Sequence, residues 1–149
     1  MKPLALNKTA AHSYQILETF EAGMVLLGHE VKSIRMGRLG LKGSYVVLRE
    51  EEAFLVGASI PAYQPKNTPE GYSPDHARKL LLKKTEIKYL LGKSSQKGLT
   101  MVPLKVYSKR GKIKLEFALA KGLREIDKRE KIKKREVERE MRRTINEKS

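Results

Sequence analysis

The chain has 149 residues, the size of one ordinary domain, and its 32 Lys and Arg residues against 17 Asp and Glu residues give a formal net charge of +15. It contains no cysteine, which excludes disulfides, thiolate metal sites and cysteine nucleophiles. Solubility alone requires a net charge of only about 2 to 8 units. The excess positive charge is instead typical of a protein that binds a polyanion.

Targeting and membrane segments are not expected. The first 11 residues have no apolar stretch of the kind a secretory signal needs. The longest apolar runs, such as residues 24–27 and 80–82, are three or four residues long, against the roughly 18 of a membrane-spanning helix. We therefore expect a cytoplasmic protein with no membrane partner.

The first predicted elements are a strand and a short helix. A strand is expected over residues 14–20, with a continuation into residues 24–27 as an open alternative. Residues 28–37, bounded by two glycines, favour a helix. Val31 and Ile34 would then face the core, because residues three apart share one helix face.

The middle of the chain alternates strands, turns and one helix. Residues 44–49 and 53–60 predict a hairpin with an acidic turn at residues 50–52. Residues 61–75 contain four prolines and are expected to be a loop. Residues 85–91 favour a helix with Thr85 as its N-cap and Gly92 or Gly98 as its end.

The last predicted hairpin has the clearest pattern. Residues 112–119 alternate charged and apolar side chains, as a half-buried strand does, and residues 99–107 precede them. Residues 108–111 form the turn. Pro103 cannot donate a ladder hydrogen bond, which indicates an edge or a bulge there. Five or more short antiparallel strands predict a mainly β fold, a closed antiparallel barrel with a few short helices.

A basic tail is predicted after this body. Residues 121–149 hold 12 basic and 7 acidic residues, so the chain divides into a body, 1–120, and a tail, 121–149. Residues 125–147 lack Gly and Pro and favour a helix, but their apolar stripe is too sparse to bury against the body. We expect the tail to be disordered alone and helical when bound to nucleic acid; the alternative is a solvated segment without a role.

Patterns of known catalytic chemistry are absent from the sequence. It has no P-loop and no dinucleotide-binding glycine motif. Its three histidines lie far apart, without metal-ligand spacing. Glu18, Glu21 and Glu30 could bind a metal only if the fold brought them together, which leaves a nuclease as a weak alternative. The sequence predicts no enzyme and no cofactor.

A basic surface interleaved with tyrosines is the remaining candidate site. Cations flank Leu80–Leu82 and line the last hairpin around Tyr107. Aromatic rings beside cations suit base stacking and phosphate contact, although tyrosines are equally common as core residues.

Nine segments in the same order resemble the SsrA-binding protein family, the tmRNA partners of bacterial trans-translation. They are NK at 7–8, ETFEAG at 18–23, GHEVKS at 28–33, SYV at 44–46, EAFL at 52–55, RKLLL at 78–82, VPL at 102–104, LAKG at 119–122 and DKR at 127–129. The resemblance implies an OB-like barrel that binds the tRNA-like domain of tmRNA and delivers it to stalled ribosomes. It also implies that the tail occupies the empty message channel and contacts small-subunit ribosomal RNA. A generic OB-type translation accessory protein is the competing reading.

The resemblance also implies the site residues. RNA-binding positions are expected at Asn7, Lys8, His12, Tyr14, Glu21, Lys32, Arg35, Arg78, Lys79, Leu81, Lys83, Lys109 and Arg110. Ribosome-binding positions in the tail are expected at Lys121, Asp127, Lys128, Arg129, Lys131, Lys133, Lys134 and Arg135.

Asn7, Glu21 and Leu81 could act in more than one way. The sequence differs from the family at residue 126, next to the expected tail position Asp127. Asn7 can hydrogen-bond an RNA edge or backbone. Glu21 either orients a neighbouring cation or accepts from a base amino group or a 2′-hydroxyl. Leu81 packs either on a base or ribose, or in the core. Ile126 stands where the family often has an aromatic residue or His, which puts stacking in the decoding centre in doubt. We expect a monomer when the protein is free.

Overall fold

The computed structural model describes residues 3–64, 66 and 68–123. Its strands in this part of the chain are β1 Pro3–Leu6, β2 Tyr14–Met24, β3 Tyr45–Arg49, β4 Glu52–Val56, β5 Arg78–Leu81, β6 Leu99–Lys109 and β7 Lys112–Gly122. Its helices are α1 Ala10–Ser13, α2 Gly28–Arg35 and α3 Lys84–Ser94.

Six of the strands form a closed antiparallel ring. The order is β6, β3, β4, β5, β2 and β7, and β7 pairs again with β6. β1 pairs with β6 as a seventh strand outside this ring. Closure removes the exposed edges that would otherwise pair with another chain. The prediction of a mainly β fold with a closed antiparallel barrel and a few short helices is confirmed.

The last hairpin supplies much of the core, as its alternation predicts. Ile113, Leu115, Phe117 and Leu119 of β7 point into the barrel and are buried, whereas Lys112 remains exposed. Ala118 and Ala120 on the outer face are buried as well. The short helix α1 covers this end of β7, where Ala10 packs with Val102 and Ala120.

A tight turn joins the two strands of each hairpin. Arg110 and Gly111, with φ of 53° and 76°, join β6 to β7, as predicted for residues 108–111. Glu50 and Glu51, with φ of 51° and 62°, join β3 to β4. Two consecutive left-handed residues match the twist of the flanking strands. The turn predicted at residues 50–52 is one residue too long, because β4 begins at Glu52. β4 also ends at Val56 rather than at residue 60.

The boundaries of two other predicted elements need correction. β2 runs to Met24, so the strand continues past residue 20 but does not include residues 25–27. α3 has Lys83 rather than Thr85 as its N-cap, and the Lys83 N–H donates to the carboxylate of Glu86 at 3.2 Å. Gly92 lies inside α3, which ends at Ser94. Helix α2 confirms the prediction for residues 28–37, and its Ile34 is fully buried.

Three elements, β1, α1 and β5, were not predicted. β5 alternates like any half-buried strand, with Arg78 and Leu80 inward and Lys79 and Leu81 outward. A buried arginine hides this pattern, because a charged residue is expected to face solvent. β1 and α1 are four residues each, too short for a periodic signal.

Between β4 and β5, the described residues of the predicted loop at 61–75 contain neither a strand nor an α-helix. No helix in residues 3–64, 66 and 68–123 is long and apolar enough to span a membrane. At the other end of the chain, Lys121 and Gly122 are the last residues of β7. The tail from Arg124 onward lies outside the described residues, as do all its predicted ribosome-binding positions except Lys121.

Candidate nucleic-acid interface

The predicted RNA-binding residues fall into two groups at opposite ends of β2. Tyr14 pairs with Gly122 at one end of this strand, and Gly23 pairs with Leu81 near the other. Nine residues of extended strand separate these points by about 30 Å. We call the surface around Leu81 the Leu81 face and the depression beside Tyr14 the Tyr14 cleft.

The Leu81 face combines an exposed apolar side chain with cations. Leu81 is 56% exposed, so its alternative role as a core residue is wrong. It borders a groove of about 310 Å³ that Met24, Val31, Lys112 and Lys114 also line. An apolar floor with lysines beside it can pack on a base or ribose and hold the adjoining phosphates.

Because Gly23 has no side chain, the groove reaches the backbone of β2 at this point. A Cβ at this position would lie 3.4 Å from Leu81 Cβ and 3.7 Å from Lys114 Nζ. A larger side chain here would fill the space between the leucine and the lysine.

Glu21 faces two donors on β6. Its carboxylate accepts hydrogen bonds from the Tyr107 hydroxyl and from Lys109 Nζ, the latter at 3.3 Å. The Tyr107 hydrogen bond has the largest effect and holds the pKa of Glu21 below its usual value. Burial opposes it, and the Lys109 ammonium lowers the pKa further. Burial, and then the Glu21 carboxylate, raises the pKa of Tyr107, so the phenol stays a donor. These contacts favour a Glu21 that orients Lys109 over one that reads RNA directly.

Further cations surround the Leu81 face. Arg35 of α2 donates to the carbonyl oxygen of Gly111 at 3.1 Å, which places its guanidinium at the turn that also contains the exposed Arg110. Lys79 pairs with Glu52 at 3.2 Å, with both side chains about half exposed. Lys32 lies 5.8 Å from the centre of the Tyr63 ring, and Lys83 is exposed.

Arg78 was predicted to bind RNA, and its position in the structure corrects that prediction. Its side chain is fully buried, with its guanidinium 2.7 Å from Glu30 Oε2 and 2.9 Å from the carbonyl oxygen of Ala58. A cation engaged in this way is not available to a phosphate, so Arg78 is not expected to contact RNA. Its partner Glu30 was not predicted as a site residue.

The carboxylates of Glu18, Glu21 and Glu30 do not share a site. Glu18 accepts from the Tyr89 hydroxyl, and Glu30 is buried against Arg78. The expectation that they might lie together is therefore wrong. No group of three or more His, Asp or Glu side chains with metal-binding geometry occurs in the described part of the chain.

Acid should destabilise the barrel through Glu30. Burial alone would raise its pKa, but the Leu27 N–H, the Arg78 guanidinium and the Tyr72 hydroxyl lower it to about 2 from 4.5. Because the folded pKa lies below the unfolded one, the ionised carboxylate stabilises the fold above about pH 4.5, by about 3 kcal/mol. That contribution is lost as the pH falls from 4.5 toward 2.

The measurement is a carbon-13 NMR titration of the side-chain carboxyl groups. The Glu30 signal should remain that of a carboxylate down to about pH 3. A Glu30 midpoint close to 4.5, the value of an unperturbed carboxyl group, would contradict the arrangement.

The Tyr14 cleft has a volume of about 610 Å³, and Tyr14, Lys42 and Tyr45 are among the residues that line it. Tyr45 is 48% exposed and was not predicted, because a tyrosine at the start of a strand equally suggests core packing. Lys8 and His12 are exposed nearby in sequence. An exposed Tyr45 ring and a half-buried Tyr14 ring beside a lysine can stack on unpaired bases.

Asn7 is one of the residues that line this cleft. Its side-chain amide donates to the carbonyl oxygen of Pro103 at 2.9 Å, and its carbonyl oxygen accepts from the Thr9 hydroxyl at 3.1 Å. The backbone N–H of Asn7 donates to the Leu104 carbonyl oxygen at 2.8 Å. These bonds hold β1 and the start of α1 on β6, so much of the hydrogen-bonding capacity of Asn7 serves the fold.

Comparisons with known proteins agree over nearly the whole chain. The family model described as SmpB protein matches residues 4–147. An SsrA-binding protein from Persephonella marina is 50% identical over 141 residues, covering 95% of this chain and 92% of that protein. One from Syntrophobacter fumaroxidans is 51% identical over 135 residues, covering 91% and 83%.

A solved structure is similar as well. It is described as "tmRNA-SmpB: a journey to the center of the bacterial ribosome", and one of its chains aligns with a TM-score of 0.68 and 43% sequence identity. The alignment covers 88% of this chain and 95% of that one.

Proposed function

This chain belongs to the SmpB protein family, whose members are non-enzymatic tmRNA-binding proteins of trans-translation, and we propose that its Leu81 face binds the tRNA-like domain of tmRNA. The bound tmRNA is delivered to stalled ribosomes in the bacterial cytoplasm. The observation that carries this assignment is the exposed Leu81 in a groove bordered by lysines. An apolar contact of this kind adds recognition to the attraction between lysines and phosphates.

The barrel is OB-like in this proposal. Its support is the closed ring of six antiparallel strands, with one helix, α3, between β5 and β6 in the chain. Barrels of this kind present a strand face and neighbouring loops to single-stranded or irregular RNA. Here that face is the end of β2 where it meets β5 and β7.

The Tyr14 cleft and the tail contact RNA separately from the Leu81 face. The cleft offers Tyr14 and Tyr45 for stacking and Lys42 for phosphates, and the exposed Lys8 follows Asn7 of its lining in sequence. The chain beyond β7, residues 124–149, forms a basic segment, disordered alone and helical when bound, that lies in the empty message channel against small-subunit ribosomal RNA. Its composition supports this role, because Lys and Arg exceed Asp and Glu and neither Gly nor Pro interrupts residues 125–147. The free protein is a monomer.

Glu21→Ala is expected to lower the affinity for the tRNA-like domain of tmRNA about tenfold, while the barrel stays folded. Without the carboxylate, Lys109 loses its orientation and Tyr107 loses its acceptor, so the charge-assisted hydrogen bonds that hold this cation at the interface are removed. Equilibrium binding measures the loss, and circular dichroism verifies the fold.

Tyr107→Phe is the matched variant, since it removes one hydroxyl and leaves the Glu21–Lys109 contact in place. It should weaken binding less than Glu21→Ala does. If Glu21→Ala binds as tightly as the unmodified chain, Glu21 has no part in the interface.

A further inference from the structure

A buried polar network lies directly beneath the Leu81 face. Glu30, in the first turn of α2, is fully buried, and so is the side chain of Arg78 at the start of β5. Arg78 donates to Glu30 Oε2 from Nε at 3.1 Å and from a terminal nitrogen at 2.7 Å. Two hydrogen bonds from one guanidinium fix both the distance and the orientation between the two side chains.

The network joins α2 to β5 and to the loop that precedes β5. The Leu27 N–H donates to Glu30 Oε1 at 2.8 Å and closes the start of α2. The Tyr72 hydroxyl and His76 Nε2 each lie 2.9 Å from Glu30 Oε2, which ties the loop between β4 and β5 to the same carboxylate. The remaining terminal nitrogen of Arg78 donates to the carbonyl oxygen of Ala58.

The two elements joined by the ion pair carry much of the proposed RNA surface. α2 presents Lys32 and Arg35 outward, and Arg35 reaches the turn between β6 and β7. β5 presents Lys79 and Leu81 on the face opposite Arg78. A shift of α2 relative to β5 would therefore change the distance between the α2 cations and the exposed leucine.

We propose that Glu30 and Arg78 are positioning residues for tmRNA recognition, which set the α2 cations at the correct distance from Leu81 without touching the RNA themselves. This inference rests on the function proposed above. It deepens that function because it assigns selectivity to a pair that is hidden from the ligand. Attraction between Lys or Arg and phosphates tolerates small displacements, whereas a shaped contact does not.

The test separates positioning from folding by replacing the pair with apolar residues of similar volume. Such replacements commonly preserve a fold, whereas removal of one partner leaves an unpaired buried charge. The double variant Glu30→Leu with Arg78→Met is prepared in the full chain, together with Glu30→Gln. Leu90→Ala in α3 is the control, since Leu90 is fully buried and belongs to neither of the two elements that the ion pair joins, α2 and β5.

Equilibrium binding to the tRNA-like domain of tmRNA and to an ordinary tRNA is measured at low and raised salt, with circular dichroism to establish folding. The folded double variant should lose about tenfold or more in affinity for tmRNA at raised salt. Its binding to ordinary tRNA at low salt should not change, and Leu90→Ala should keep its tmRNA affinity. A folded double variant with unchanged selectivity would overturn the proposal.

If neither variant at the ion pair folds, the positioning role is tested with Tyr72→Phe, because this substitution removes only one hydroxyl from the network. It should lower tmRNA selectivity about threefold, and unchanged selectivity would count against the proposal. Different results would refute the proposed function and the positioning role. An unmodified chain without preference for tmRNA refutes the proposed function, whereas a preference that every variant retains refutes only the positioning role.

Discussion

Deletion of residues 124–149 is expected to abolish the tagging of stalled nascent chains while leaving the affinity for tmRNA close to that of the full chain. The deletion removes 11 basic and 7 acidic residues but no residue of the barrel. The Leu81 face would remain, so recognition of tmRNA should persist. Contacts with ribosomal RNA depend on the tail and would be lost.

Two measurements are needed for this prediction. One is equilibrium binding to the tRNA-like domain of tmRNA, and the other is tagging in a reconstituted translation reaction on a message without a stop codon. A substitution of Lys128 and Arg129 by Ala in the full chain is the control for chain length, and it should reduce tagging without affecting tmRNA binding. If the deletion also abolishes tmRNA binding, the division into an RNA-binding body and a ribosome-binding tail is wrong.

Arg78→Ala is expected to remove about 3–5 kcal/mol from the free energy of unfolding. The carboxylate of Glu30 would remain buried without the cation that compensates it, and the Ala58 carbonyl oxygen would lose its donor. Small domains are stable by only about 5–15 kcal/mol, so this loss is a large fraction of the free energy that holds the barrel folded.

Urea denaturation followed by circular dichroism measures this change. Lys79→Ala is the matched control, because the neighbouring residue on β5 forms an exposed ion pair with Glu52 and such pairs contribute about 0–1 kcal/mol. Equal stability losses for the two variants would show that the Glu30–Arg78 pair contributes no more than a surface pair.

Local patterns predicted the parts of the fold that depend on neighbouring residues. The alternation of charged and apolar side chains identified β7, and Gly111 identified the turn before it. The predicted hairpin of β3 and β4 and the helix α2 follow from equally local signals. Together with the strands predicted at residues 14–20 and 99–107, which correspond to β2 and β6, these elements include five of the six strands of the ring. This explains why a closed barrel could be expected.

Contacts between distant residues could not be predicted in this way. Glu30 and Arg78 are 48 residues apart, and nothing local shows that a glutamate and an arginine will be buried together. Leu81 stands in a run of three leucines, and only the register of β5 shows which of them is exposed. The role of Asn7 in the fold likewise depends on Pro103, which is 96 residues away.

The most direct test of the central claim is equilibrium binding of the full chain to the tRNA-like domain of tmRNA and to an ordinary tRNA, at low and raised salt. Contacts with phosphates weaken steeply with salt, whereas the apolar and hydrogen-bonding contacts of the Leu81 face do not. We expect both RNAs to bind at low salt and tmRNA to remain preferred as the salt concentration rises. If both affinities fall together, the protein is a non-specific basic RNA binder, and the proposed recognition of tmRNA is contradicted.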